Sequence, residues 1–142
     1  MTEKVMQTLW GNYIKSNPPS QTEVYELKIC KGTSLPFDHL DQHQVQSLLD
    51  SQNSTLYHRL TDQPWMEGRP FVFTKKKPFD CFVVVKVKAF VVVWFYIPRK
   101  PKIFFKIPIE VWLKERDTCG RKSITAQRAS ELGTAVLIRN GK

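Results

Sequence analysis

The sequence predicts an α/β fold, a mixed central β-sheet flanked by helices, on three observations. Amphipathic helical patterns are interleaved with strand patterns along the chain. Residues 79–85 and 90–96 are nearly continuous apolar runs rich in Val and Phe, as expected of central strands covered on two faces. The 142 residues suffice for one core, so a single domain over 1–142 is expected, its main body at about 2–116 and a C-terminal helical segment at about 122–133.

Each element follows from local pattern. Val5, Met6, Leu9, Trp10, Tyr13 and Ile14 recur at helical spacing, which predicts a helix over 2–16 with Thr2 as N-cap and Asn17-Pro18-Pro19-Ser20 as its stop. The alternation Val24-Tyr25-Glu26-Leu27-Lys28-Ile29-Cys30 predicts a strand over about 22–30, followed by a loop with Gly32 and Pro36. Asp38 is placed as the cap of a second helix running to about Asp50, with Leu40, Val45, Leu48 and Leu49 as its inner stripe. A short strand over 55–60 and a loop over 62–69, marked by Pro64 and Gly68, come next. Lys86-Val87-Lys88 is read as the turn between the two apolar runs. Residues 103–107 suggest a further strand, Pro108 opens a short helix through Glu115, Ser123 caps a last helix and Gly133 ends it.

The charge balance narrows the partners. The 22 Lys and Arg outnumber the 13 Asp and Glu, a formal net charge of +9, and the pI is near 9.6. That balance suits a polyanion better than an acidic small substrate, although many ordinary enzymes share it. Cys30, Cys81 and Cys119 are odd in number and widely spaced, which fits reduced thiols in a cytoplasmic protein. The N-terminus enters an amphipathic pattern and not a basic segment followed by a solid apolar run, so no signal peptide is indicated. The longest apolar stretch, 81–97, carries Lys86 and Lys88, each costing about 3 kcal/mol at a bilayer centre, so no membrane span is expected.

The chemistry concentrates at Glu26-Leu27-Lys28. Residues two apart on a strand share a face, so Glu26 and Lys28 point together while Leu27 and Ile29 point to the other layer. A carboxylate and an amine on a surface that ought to be packed imply a cleft, a metal ion or a phosphate; a structural ion pair is the plainer alternative. At about 100° per residue, Gln44 falls inside the apolar stripe of the second helix and faces the sheet, either toward this pair or as a buried amide satisfied by backbone. Asp80 opens an otherwise apolar strand after Lys75-Lys76-Lys77-Pro78. It makes either a turn hydrogen bond or, beside the cationic run, part of a site where a metal meets a phosphodiester. The three lysines in turn are either phosphate contacts or a solvated loop.

With Glu26-Leu27-Lys28 on a strand, Gln44 on the following helix, and the stretches Ser34-Leu35-Pro36-Phe37, His43-Gln44, Lys77-Pro78-Phe79-Asp80 and Arg121-Lys122-Ser123-Ile124-Thr125, the chain resembles the PD-(D/E)xK nuclease superfamily over about residues 5–130. Within it the likeness is to small Holliday-junction resolvases of archaeal and phage type. The resemblance implies a restriction-endonuclease-like sheet and an active site of Glu26, Lys28, Gln44 and Asp80. Glu26, Asp80 and the Leu27 backbone carbonyl would hold Mg²⁺ or Mn²⁺, and Glu3 would match the helix-borne acid of some resolvases. The usual order places an Asp before E-x-K. Here only Glu23 precedes it nearby, and it points to the opposite face, so the strand beginning at Asp80 is expected to fill the missing place in the sheet as a permuted active-site strand.

Further expectations follow from the same likeness. Lys31, Lys75, Lys76, Lys77, Arg121 and Lys122 would contact DNA. The substrate would be branched double-stranded DNA, a four-way junction, cut symmetrically by a homodimer, in the cytoplasm and, for a phage gene, that of the host cell. Trp65, Trp94 and Trp112 are candidates for the dimer surface, core packing being the plainer role. A restriction- or repair-type nuclease on the same fold, and a non-catalytic basic nucleic-acid-binding module, are the alternatives.

Overall fold

Eight strands and four helices follow one another in a computed structural model that describes residues 2–61 and 80–139, residues 55–61 and 80–85 by their backbone. Helix α1 (Glu3–Ser16) forms where the apolar spacing places it, with Thr2 in extended conformation at its N-cap and the chain leaving the helix at Asn17. It is followed by β1 (Glu23–Cys30), β2 (Ser34–Pro36), one turn of 3-10 helix at Phe37–His39, and α2 (Gln42–Asn53). Then come β3 (Thr55–Thr61), β4 (Asp80–Lys86), β5 (Lys88–Phe95), β6 (Lys102–Pro108), α3 (Ile109–Thr118), β7 (Ser123–Thr125), α4 (Ala126–Leu132) and β8 (Thr134–Ile138).

The main sheet has the order β1-β5-β6-β8, with β1 parallel to β5 and the other pairs antiparallel. It is mixed, as expected, and helices cover both faces. On one face Met6 and Trp10 of α1 pack against Val92, Trp94, Phe104, Val136 and Ile138. On the other, Val45 and Leu48 of α2, Trp112 of α3 and Ala129 of α4 pack against Val91, Val93, Phe105 and Ile107. Val91, Val92 and Val93 are completely buried, which is the reason β5 sits inside the sheet: a run apolar on both faces needs a neighbouring strand on each side and a helix layer above and below.

This corrects the expected turn between the two apolar runs. Lys86-Val87-Lys88 makes no turn joining paired strands; Val87 alone separates β4 from β5, and β4 pairs with β3 in a second, two-stranded sheet. The strand that begins at Asp80 therefore does not take the place beside β1. β5 takes it, in the register Glu26↔Val91 and Lys28↔Val93. Asp80 pairs with Thr61 at the end of β4 remote from Lys86, six residues or about 20 Å of strand away.

Smaller differences have local causes. The loop expected around Pro36 contains β2, which pairs with β7. Asp38 lies in the 3-10 turn, and Asp41 takes the N-cap of α2. Pro108 stands one place before its expected helical position, as the N-cap of α3. Ser123 lies in β7, while Thr125 caps α4, its hydroxyl accepting the Arg128 N–H at 3.3 Å. Strand β8 was not expected, because only Val136 and Ile138 of its five residues face the core. Trp94 and Trp112, weighed for an interface, are core residues at 2% and 0% exposure. The loop over 62–69, Trp65 and Lys75 to Lys77 lie outside the described residues.

Gly133 ends α4 as expected, but by close approach. Its φ of −129° is open to any residue, whereas an added Cβ would stand 2.5 Å from the Lys106 carbonyl oxygen and 2.7 Å from Ile107 Cγ1. Gly133→Ala is expected to destabilise the fold by about 1–3 kcal/mol. Gly11→Ala, in mid-helix with open space around it, should stabilise by roughly 0.5–1 kcal/mol. Thermal denaturation of the two variants beside the parent chain tests the pair, and a neutral Gly133→Ala would refute the close contact.

Candidate functional site

Strand alternation and one helix position build the candidate site. On β1, Tyr25, Leu27 and Ile29 pack into the α1 layer, while Val24 and Cys30 pack into the opposite one. Glu26 and Lys28 share the latter face, beneath α2. Gln44 is the third residue of α2, and its side chain reaches both. Its Nε2 donates to Glu26 Oε1 at 2.6 Å, and its Oε1 accepts from Lys28 Nζ at 2.7 Å. Lys28 Nζ also stands 3.4 Å from Glu26 Oε1, with side-chain exposures of 18% for Lys28 and 25% for Glu26.

The amide of Gln44 has one sensible orientation. Its oxygen accepts from the Lys28 ammonium and also from the Asp41 backbone N–H at 3.1 Å, closing the first turn of α2; its nitrogen faces the carboxylate. A flip would set donor against donor and oxygen against carboxylate. The helix cap thus orients Gln44, and Gln44 holds the acid and the base two residues apart. Among the described residues, only Oε1 of Glu26 is engaged.

The edge of the sheet supplies another oxygen. Thr22 and Cys30 accept from Lys88 N–H and Tyr96 N–H at the two ends of the β1–β5 ladder. In a parallel ladder alternate residues face the neighbouring strand, so even-numbered carbonyls of β1 point at β5 and odd-numbered ones, Leu27 included, point outward. No described strand pairs with that outer edge. A partly exposed carboxylate and an outward carbonyl on adjacent residues are hard oxygen donors of the kind Mg²⁺ and Mn²⁺ take.

The remaining expected residues are dispersed. Glu3 is exposed on α1, where it accepts from Gln7, and α1 covers the face of β1 opposite to Glu26. The side chain of Asp80 is not among those described, and no group of three or more His, Cys, Asp or Glu able to hold a metal ion occurs among the described residues. Lys31 is exposed just past β1, and Arg121 and Lys122 are exposed in the turn between α3 and β7. Cys30 and Cys119 are unpaired thiols.

Two polar clusters went unread in the sequence. Glu23 turns to the α1 face, as alternation requires, and its carboxylate accepts from the Tyr25 hydroxyl and from Lys106 Nζ at 2.5 Å each. Lys106 lies 4.2 Å from the centroid of the Phe90 ring. Burial, and then the Glu23 carboxylate, push the Tyr25 phenol above its ordinary value. The signal for it was a lysine inside the apolar run 103–107. Glu115, 8% exposed, accepts two bonds from Arg128 at 2.8 and 2.9 Å, and these hold its carboxyl below the usual range. That pair joins α3 to α4 and is structural.

An α/β domain with an E-x-K strand clamped by a helix-borne glutamine is as far as fold and site define the class. No protein-family model matches the chain, and no curated protein and no solved structure matches it. Among the described residues no helix is long and apolar enough to cross a membrane.

Proposed function

We propose that the chain is a metal-dependent, structure-specific DNA endonuclease that hydrolyses phosphodiester bonds in branched DNA, acting as a homodimer on a four-way junction. The observation that carries this reading is the Glu26, Lys28 and Gln44 cluster beside the outward Leu27 carbonyl. At positions where apolar side chains would serve packing, these residues are polar, mutually oriented and partly open to solvent.

Glu26 and the Leu27 carbonyl would hold a Mg²⁺ or Mn²⁺ ion; Asp80, on β4 in the separate sheet, is not counted among the ligands. When bound, the ion supplies charge neutralisation at the scissile phosphate and acidifies a water molecule. Lys28, already positioned by Gln44, places a positive charge where the phosphoryl oxygens gather charge. Gln44 fixes the relative placement of Lys28 and Glu26 by bonding each of them, alongside their own 3.4 Å contact. A restriction-endonuclease-like arrangement of the sheet belongs to the same proposal.

The test is cleavage of a synthetic four-way junction beside a linear duplex in Mg²⁺ and Mn²⁺, with the parent chain and Glu26→Gln. Symmetric nicking of the junction that is lost in the variant is the expected result. Undiminished cleavage by Glu26→Gln would remove that residue from the site. A second reading, a non-catalytic basic nucleic-acid binder with a structural polar cluster, is favoured by Glu26 being the sole acid of the cluster among the described residues. It predicts junction binding with no nicking in either metal.

A further inference from the structure

A basic cleft opens beside the first turn of α2. It has a volume of about 520 Å³ and is lined by Phe37, Leu40 and Gln42, by the acids Asp38 and Asp41, and by Arg116, Arg121 and Lys122. Three cations from two segments converge there. Arg116 comes from the last turn of α3, while Arg121 and Lys122 come from the turn that follows it.

That turn is built and held. Gly120 has φ of 65°, the left-handed region that a side chain makes costly, and it reverses the chain at the end of α3. The Lys122 carbonyl then accepts the Phe37 N–H at 3.0 Å, and β7 continues into its ladder with β2. Phe37 is itself fixed in the core, edge-on to Trp112 with ring centroids 5.2 Å apart. Arg121 and Lys122 are thus exposed side chains on an anchored backbone, which lowers the ordering cost of binding. The ion pair of Arg116 with Asp117, at 2.9 Å between exposed groups, is of the kind worth little in water and leaves Arg116 open to a stronger partner.

The nearby acids are mostly committed elsewhere. Asp41 is turned to the first turn of α2 as its N-cap, and Asp117 is engaged only with Arg116, so Arg121 and Lys122 face Asp38 as the one lining carboxylate without a described partner, in a chain of net charge +9. The cleft also has a defined relation to the catalytic cluster. Gln42 lines the cleft and Gln44 holds Glu26, so the two sites flank one helical turn about 10 Å across.

We infer that Arg116, Arg121 and Lys122 form a phosphate clamp that grips the DNA backbone next to the cleaved bond. The inference rests on the nuclease reading for the position of that bond; the binding itself does not. The clamp contacts phosphate and not base edges, so it contributes affinity and register without sequence preference.

The experiment is fluorescence anisotropy of the full chain with labelled four-way junction, linear duplex and single-stranded RNA, in metal-free buffer over a range of salt. Arg116→Ala, Arg121→Ala, Lys122→Ala and their combination are compared with Lys15→Ala, which removes the same charge from exposed α1. Each clamp substitution should make the dependence of log affinity on log salt shallower by about one, and the combination by about three, with Lys15→Ala near the parent. Unchanged slopes in the clamp variants, an equal effect of Lys15→Ala, or tighter binding of RNA than of either DNA would overturn the clamp. Thermal denaturation verifies folding, and if the combined variant unfolds the single substitutions decide. Shallower slopes in a chain that never nicks DNA would uphold the clamp and reject the nuclease, whereas intact nicking with unchanged slopes would do the reverse.

Discussion

Glu26→Gln is expected to lower metal-dependent junction nicking by about 10³-fold, the rate equivalent of losing roughly 4 kcal/mol of transition-state stabilisation, while junction affinity in metal-free buffer stays within about twofold. The substitution keeps the shape of the side chain and removes its charge. It also exposes the logic of the cluster, because the new amide must share space with the Gln44 Nε2 that donates to Glu26 at 2.6 Å. Gln44→Ala should act more mildly, by about 10- to 100-fold in metal affinity, as expected of a residue that orients a ligand without being one. A calorimetric titration with Mn²⁺ separates the two: Glu26→Gln loses the binding isotherm, and Gln44→Ala shifts it. Wild-type nicking rates in Glu26→Gln would end the metal-site reading, since among the described residues no second acid joins the cluster to replace the first.

Trp112→Ala should cost the fold about 3–5 kcal/mol, a large part of the 5–15 kcal/mol by which domains of this kind are stable. The side chain is fully buried in the layer that joins α2, α3 and α4 to the sheet, edge-on to Phe37. Its removal leaves a void that the surrounding β-strands cannot close without losing their register. Trp112→Phe is a sharper test. The indole Nε1 is buried without a hydrogen-bond partner, a state costing about 1–3 kcal/mol, so the smaller ring gives up volume but also removes an unsatisfied donor. Urea denaturation should therefore place Trp112→Phe within about 1.5 kcal/mol of the parent. A loss as large as that of alanine would mean that the indole N–H is satisfied after all. Since Phe37 anchors the turn carrying Arg121 and Lys122, Trp112→Ala should also blunt the salt dependence of DNA binding at temperatures where the chain is still folded.

The parts of the fold that were legible share one property: their signal lies within a single element. The α1 stripe, the alternation of β1, and the inward position of Gln44 are consequences of helical and strand periods acting on nearby residues. The cap of α2 was misplaced by three residues because Asp38 and Asp41 are chemically alike at a helix start. The reciprocal capping box of Asp41 with Gln44 distinguishes them. β8 was missed because three of its five residues face away from the core, so its pattern is too sparse to read.

Periodicity alone determined that Glu26 and Lys28 share a face, that Glu23 takes the other, and that a glutamine one helix later faces the sheet. Only the tertiary structure decided which strand lies beside β1. Two apolar runs of similar composition, 80–86 and 88–95, compete for that place, and local sequence cannot rank them. The outcome depends on which run is covered by helices on both sides, a property of the assembled layers, and it went to β5, leaving the strand of Asp80 paired with β3.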